Sequence, residues 1–204
     1  MIAKRIVVLS MVSVLTLFAS SHEMKAQKKK DDNGNKSEIA AVVKKGKEAT
    51  KLLLKTLGGN MKKHMKSGGP LEAFSFCATN AASLTAQVDE KLGSGISVKR
   101  ITLKPRNHAN IAEGDEKAVL EALMSLKESG VKLPKYLVQE KNSEYRFYKP
   151  LLINKKVCLK CHGTNLSPKL SAEIKRVYPT DRATGYRMGD LRGAVVVTIK
   201  KESL

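Results

Sequence analysis

Apolar residues spaced by three and four run through Ile39, Val42, Val43, Ala49, Leu52, Leu53 and Leu54, the repeat of one helical face. Ser37 can cap this helix at a start near Glu38, and Gly58 and Gly59 weaken its far end. A second helix is predicted from near Pro70, a residue tolerated in a first turn, to near Gly93. Its apolar stripe is Phe74, Cys77, Ala78, Ala81, Leu84, Thr85 and Val88. Ile96 to Leu103 alternates loosely as a strand does, a polar loop follows from Pro105 to Gly114, and Asp115 to Ser129 reads as a helix closed by Gly130. Tyr136 to Glu140 and Tyr145 to Ile153 predict a hairpin turning at 141–144. Val195, Val196 and Val197, inside Gly193 to Ile199, form a β-branched run that suits a buried strand. No internal repeat is visible. Helices first, then strands interrupted by a helix, predict an α+β domain with a mostly antiparallel sheet.

The beginning of the chain has a different pattern. Lys4 and Arg5 precede an apolar run from Ile6 to Ala19 that only Ser10, Ser13 and Thr16 break, as in a secretory signal. The run is too short for a comfortable membrane span, and Ala19, Ser21 and Ala26 offer small residues for cleavage. An uncleaved signal anchor is the alternative. No cysteine follows the run, so a lipid anchor is not indicated. Residues 27–37 are mostly Lys, Asp, Asn and Gly, too polar to bury surface, and read as a flexible leader. The expected organisation is a signal peptide over 1–26, a leader over 27–37 and one domain over 38–204. The expected location is periplasmic or otherwise exported, with no stable membrane span after cleavage.

Composition adds one point to the fold. Hydrophobic residues make up 42% and charged residues 28%, a foldable balance, but Trp is absent and aromatics reach only 4%. A core built from Leu, Ile, Val and Ala calls for help from something large and flat. Lys and Arg number 38 against 19 Asp and Glu, a formal net charge of +19. These cations are scattered apart from Lys28, Lys29 and Lys30, and no nucleic-acid-binding motif accompanies them. They read as a solvated basic surface that steers an anionic partner protein, not as a nucleic-acid interface.

Cys158, Leu159, Lys160, Cys161 and His162 spell the two thiols and the imidazole of c-type haem attachment. Cysteines two residues apart can each form a thioether to a vinyl group of one porphyrin, and the adjacent His then serves as proximal ligand. A zinc half-site and a thioredoxin-like dithiol compete for the same residues. Zinc would want further ligands, and besides His22 only Cys77, His64 and His108 remain, all far upstream. A dithiol would want its pair at the start of a helix in a βαβ setting, which the pattern does not predict. Export to a compartment where c-type maturation occurs favours one covalent haem c.

The third cysteine, Cys77, lies on the apolar stripe of its helix beside Ala78, Ala81 and Ala82, where a flat ring can approach closely. Ferric iron would stabilise an axial thiolate there. A buried cysteine serving as a small hydrophobe fits the residues equally well. Rival sixth ligands are His108, His64, Met188, Met124 and Met65. His108 sits in a polar loop, His64 in a lysine-rich stretch, and methionines at helical spacing belong to cores.

Several longer stretches carry a resemblance. They are Phe76-Cys77-Ala78, the run Leu103 to Asn110, Tyr148-Lys149-Pro150-Leu151, the haem motif with Gly163, the run Tyr178 to Tyr186, and Gly189 to Ala194. With them the chain, from about Glu38 onward, resembles the PAS-like c-type haem domains of the cyanobacterial Tll type. The resemblance implies a PAS-like sheet flanked by long helices, a haem in the pocket, and His162 and Cys77 as its axial ligands. Such domains occur alone and as extracytoplasmic sensors of larger signalling proteins, and no kinase or cyclase segment is read here. His108 departs from the proline expected at its position.

Arg106, Asn107 and Asn110 form a polar cluster suited either to a haem propionate or to loop capping. Tyr186, with Asp190 and Arg192, either lines the pocket or locks the turn before the last strand. The reading is a low-potential electron-transfer or redox-responsive cytochrome. The alternative is a sensor in which a small gas displaces Cys77. A peroxidase is the weakest reading, since only His108 offers a distal acid or base.

Overall fold

The computed structural model describes the backbone from residue 16 and side chains from residue 34. Most of the expected signal segment therefore lies outside the described residues. Among those residues, no helix is long and apolar enough to cross a membrane. The main compact unit spans Ala40–Leu204, and the described part of the unit that ends at Ile39 is helical.

Helix α1 (Thr16–Leu92) starts well before Ser37. Residues 27–37, read as a leader, are helical, and the Ser37 hydroxyl donates to the Gly34 carbonyl at 2.8 Å instead of capping. That stretch holds no proline, and a lone glycine costs only about 1 kcal/mol in a helix. Gly58 and Gly59 do not end the helix either, since two glycines together cost only about 2 kcal/mol in a helix. The break comes at Gly69, whose φ of 73° and ψ of −160° are not helical, and Pro70 opens the second half as the sequence predicts.

Strands β1 (Ile96–Ile101), β2 (Leu137–Glu140), β3 (Glu144–Leu152) and β4 (Leu191–Lys200) form one sheet in the order β1-β4-β3-β2. Every pairing is antiparallel, which agrees with the expected α+β, PAS-like class. The hairpin turns at 141–144, where the Lys141 amide donates to the Glu144 carbonyl. The valine run lies in β4, between two neighbours, and Val195, Val196 and Val197 are wholly buried.

Strand alternation gives each face of the sheet its own cover. Tyr148, Ala194, Val196 and Ile101 pack with Leu120 and Leu123 of α2 (Gly114–Glu128). The opposite face carries Phe147, Val197 and Ile199 and meets α1, where Val42, Ala49 and Leu53 are buried. Gly46 allows this approach, because a Cβ there would stand 2.3 Å from the Phe147 ring.

Two short helices were not predicted: α3 (Lys156–His162) and α4 (Pro168–Val177). The signals for α4 are present, with Ser167 accepting the Leu170 amide as N-cap, Pro168 in the first turn, and Leu170 and Ile174 four apart. Those two residues pack on Phe74 of α1 in a cluster that also takes in Cys161 and Tyr178. Near the start of β4 the register shifts: Leu151 faces Gly193 while Leu152 faces Leu191, so Arg192 has no opposite number. An extra residue of this kind re-aims its side chain.

Candidate functional site

The cysteine pair sits on α3, with Cys158 in its first turn, so one of the two features a dithiol would want is present. Its helix follows β3, which pairs antiparallel with both neighbours, so the βαβ setting of a dithiol site is absent. Among the described residues no three His, Cys, Asp or Glu side chains converge as a metal site would need. Cys158, Cys161 and His162 instead line a cavity of about 610 Å³, within the usual range of ligand pockets. The second half of α1 forms another wall, with Cys77 among Ala73, Ala78, Ala81, Ala82 and Ala86. Arg100 of β1, Arg106 and Asn107 of the loop before the 3₁₀ turn His108–Asn110, and Arg192 also reach it.

The run Leu103 to Asn110 and the run Tyr178 to Tyr186 brace α3 from behind. The imidazole Nδ1 of His162 donates to the Ala183 carbonyl at 2.7 Å. A carbonyl only accepts, so the proton sits on Nδ1 and Nε2 keeps its lone pair for a ligand. The Tyr186 amide donates to the His162 carbonyl and the Gly185 amide to the Gly163 carbonyl. Arg106 ties this loop to its own: Nε donates to Asp181 Oδ1 at 2.9 Å and Nη2 to the Cys161 carbonyl at 2.8 Å. Asp181 in turn accepts the Ala183 amide, which holds the carbonyl that His162 uses.

Burial, with the Arg192 and Arg106 guanidinium groups nearby, pushes the His162 imidazole down from 6.5 to about 3. The unfolded chain thus binds a proton at this residue, between those two values, that the folded chain refuses. Stability is intact above pH 6.5 and falls as pH drops toward 3, by up to roughly 1.4 kcal/mol per pH unit. Denaturant unfolding of the haem-free chain across that window, compared with His162→Gln, reads the effect: the variant should lose the slope. Burial also pushes the Cys77 thiol up, against the opposing pull of Arg100 and Arg106, and does the same at Cys161, opposed by Arg106.

Other expected residues take different places. The Asn107 side chain accepts the Ala109 amide and caps the 3₁₀ turn, although it also borders the cavity. Tyr186 stands behind His162, edge to ring at 6.3 Å, and borders a smaller neighbouring cavity together with Arg192. His108 pairs with the Thr180 hydroxyl at 3.0 Å, and His64 with Glu72 while stacked on Phe76. Met188 is exposed and Met124, on α2, packs against the core cluster, whereas Met65 lines the cavity together with Met61. Arg100 is the residue that reading the sequence missed. Its signal was an arginine where the alternation of Ile96 and Val98 asks for another apolar side chain.

A family model, Tll0287-like, matches residues 4–200. The chain belongs to the Tll0287-like family. The match takes in α1, the sheet and α3 alike. The crystal structure of the cyanobacterial heme-protein Tll0287 is similar to this member, with a TM-score of 0.55 and 24% identity over 80% of this chain and 95% of that one. At that identity the likeness is one of fold. No curated protein matches this member of the family.

Proposed function

We propose that this chain is an exported monohaem c-type cytochrome with His162 and Cys77 as axial ligands, acting in low-potential electron transfer or redox response. One observation carries the reading. The two thiols and the imidazole of the attachment motif line the same cavity as Cys77, and the imidazole is already held in the tautomer that frees Nε2. The Tll0287-like family and the haem of the solved relative support it.

The residues present fit such a group. Ala78, Ala81 and Ala82 make a wall without bulk, which a planar macrocycle can approach. Bound there, haem iron exchanges one electron between its ferric and ferrous states. Cys158 and Cys161 would tether it, His162 would hold one axial position, and Cys77 the other. An anionic thiolate favours the ferric state and so lowers the potential. The net charge of +19 favours an acidic redox partner, and the apolar run after Lys4 and Arg5 suits export.

Absorption spectra and reduction potentials of the parent and of Cys77→Ala test the proposal. The parent is expected to show a low-spin c-type spectrum. The variant should lose its thiolate character and rise in potential by on the order of 100 mV, part of the roughly 0.8 V that axial ligands command. Equal spectra and potentials would remove Cys77 from the iron. A parent without haem would remove the whole proposal.

A further inference from the structure

Three arginines line the cavity, and two of them are engaged. Arg106 is committed to Asp181 and the Cys161 carbonyl. Arg192 donates through Nη1 to the Thr102 hydroxyl at 2.6 Å and to the Lys104 carbonyl at 3.2 Å. Arg100 differs: its Nε is fully enclosed and has no hydrogen-bond partner among the described residues. The carboxylate on the same cavity wall, Asp89, accepts the Val98 amide at 2.6 Å.

An enclosed guanidinium donor without an acceptor is costly, because the water it gave up is not replaced. Its place in the sheet is determined by its neighbours. Arg100 pairs with Val195 across β1 and β4 and shares the face of Ile96 and Val98. The side chain is therefore held at the cavity with a positive charge and an unused fork of donors. The group that best satisfies a fork is a carboxylate, which takes two parallel N–H bonds. A c-type haem brings two carboxylates on its propionate arms.

We infer that Arg100 receives a propionate carboxylate of the haem, orienting the macrocycle and offsetting its negative charge. This rests on the reading that haem occupies the cavity. Arg100 is a positioning residue in this arrangement, while the thioethers carry the attachment itself. Removing its charge leaves a propionate unneutralised, which favours ferric over ferrous iron.

The test uses the holoprotein matured in a cytochrome-competent host, as the parent, Arg100→Gln and Arg100→Lys, each also in a Cys77→Ala background. Covalent haem on the denatured parent checks the underlying reading separately: its absence would overturn that reading, whatever Arg100 does. With haem present, Arg100→Gln should keep its covalent haem, shift the propionate bending mode in resonance Raman, and lower the potential. The expected change is roughly tenfold in the ferric-to-ferrous ratio at fixed potential, about 59 mV for one electron. Arg100→Lys should fall between the two. The shift should persist in the Cys77→Ala background. An unchanged propionate mode in both substitutions overturns the inference, and if Arg100→Gln does not fold, the Arg100→Lys mode decides alone. A potential shift that vanishes without Cys77 also overturns it, by assigning Arg100 to the thiolate.

Discussion

A chain carrying Cys158→Ser and Cys161→Ser together should run colourless on a denaturing gel and give no haem-linked peroxidase stain, where the parent keeps one haem per chain. Both thiols sit on the seven-residue helix α3, and both border the cavity. Without thioethers, only axial bonds and packing would keep the group, and denaturation releases those. The folded protein should suffer as well. A ligand held at about 1,000 times its dissociation constant adds about 4 kcal/mol to stability. At roughly 2–4 °C per kcal/mol for a chain of this size, its loss should lower the melting temperature by about 10 °C. Haem that stays with the denatured double variant would sink the thioether assignment.

Gly193→Val should bring the second large loss, one of stability. Gly193 has a φ of 152°, in the region that favours glycine, and a Cβ there would stand 2.1 Å from the Ile101 carbonyl oxygen. That oxygen is backbone of the neighbouring strand and cannot swing away as a side chain can. Strain of about 1–3 kcal/mol and overpacking of similar size together approach the few kcal/mol by which most domains are stable. The residue just before it is Arg192, whose donors hold Thr102 and Lys104. Thermal unfolding of the holoprotein should therefore show a fall of roughly 10 °C and a disturbed haem spectrum. A variant that melts with the parent would mean that β1 and β4 can separate there at no cost.

Much of the cavity's chemistry was legible because it depends on residues close together in the chain. The attachment motif needs two thiols and an imidazole within five positions, and no folding is required to see it. Periodicity was equally local: Phe74, Cys77, Ala78 and Ala81 recur at helical spacing, and the valine run marks a strand. Helix ends were less legible. Ser37 is a good cap in isolation, yet the helix runs through it, since nothing in 27–37 forbids helix and a cap is used only where a helix stops. The break at Gly69 was marked by the proline that follows it, which restricts the residue before it.

The polar residues were the hardest to assign. Arg106 and Asn107 suited a propionate or a loop, and Tyr186 suited a pocket or a turn. Arg106 works across 75 residues to Asp181, and Tyr186 lies behind the imidazole. Arg100 was not legible, because a single arginine in a loosely alternating strand is commonplace until the cavity that it lines is known.

What the sequence determined by itself was the class of the fold, the helical and strand periods, and the close spacing of Cys158, Cys161 and His162, each encoded within a few neighbouring residues. Only the tertiary structure decided that Cys77 and the motif face one cavity, that Ala183 orients His162, and that Arg100 alone among three arginines lacks a partner. Those facts join segments tens of residues apart. The reason is that a side chain's partners depend on which surfaces packing brings together, and local spacing carries no record of that.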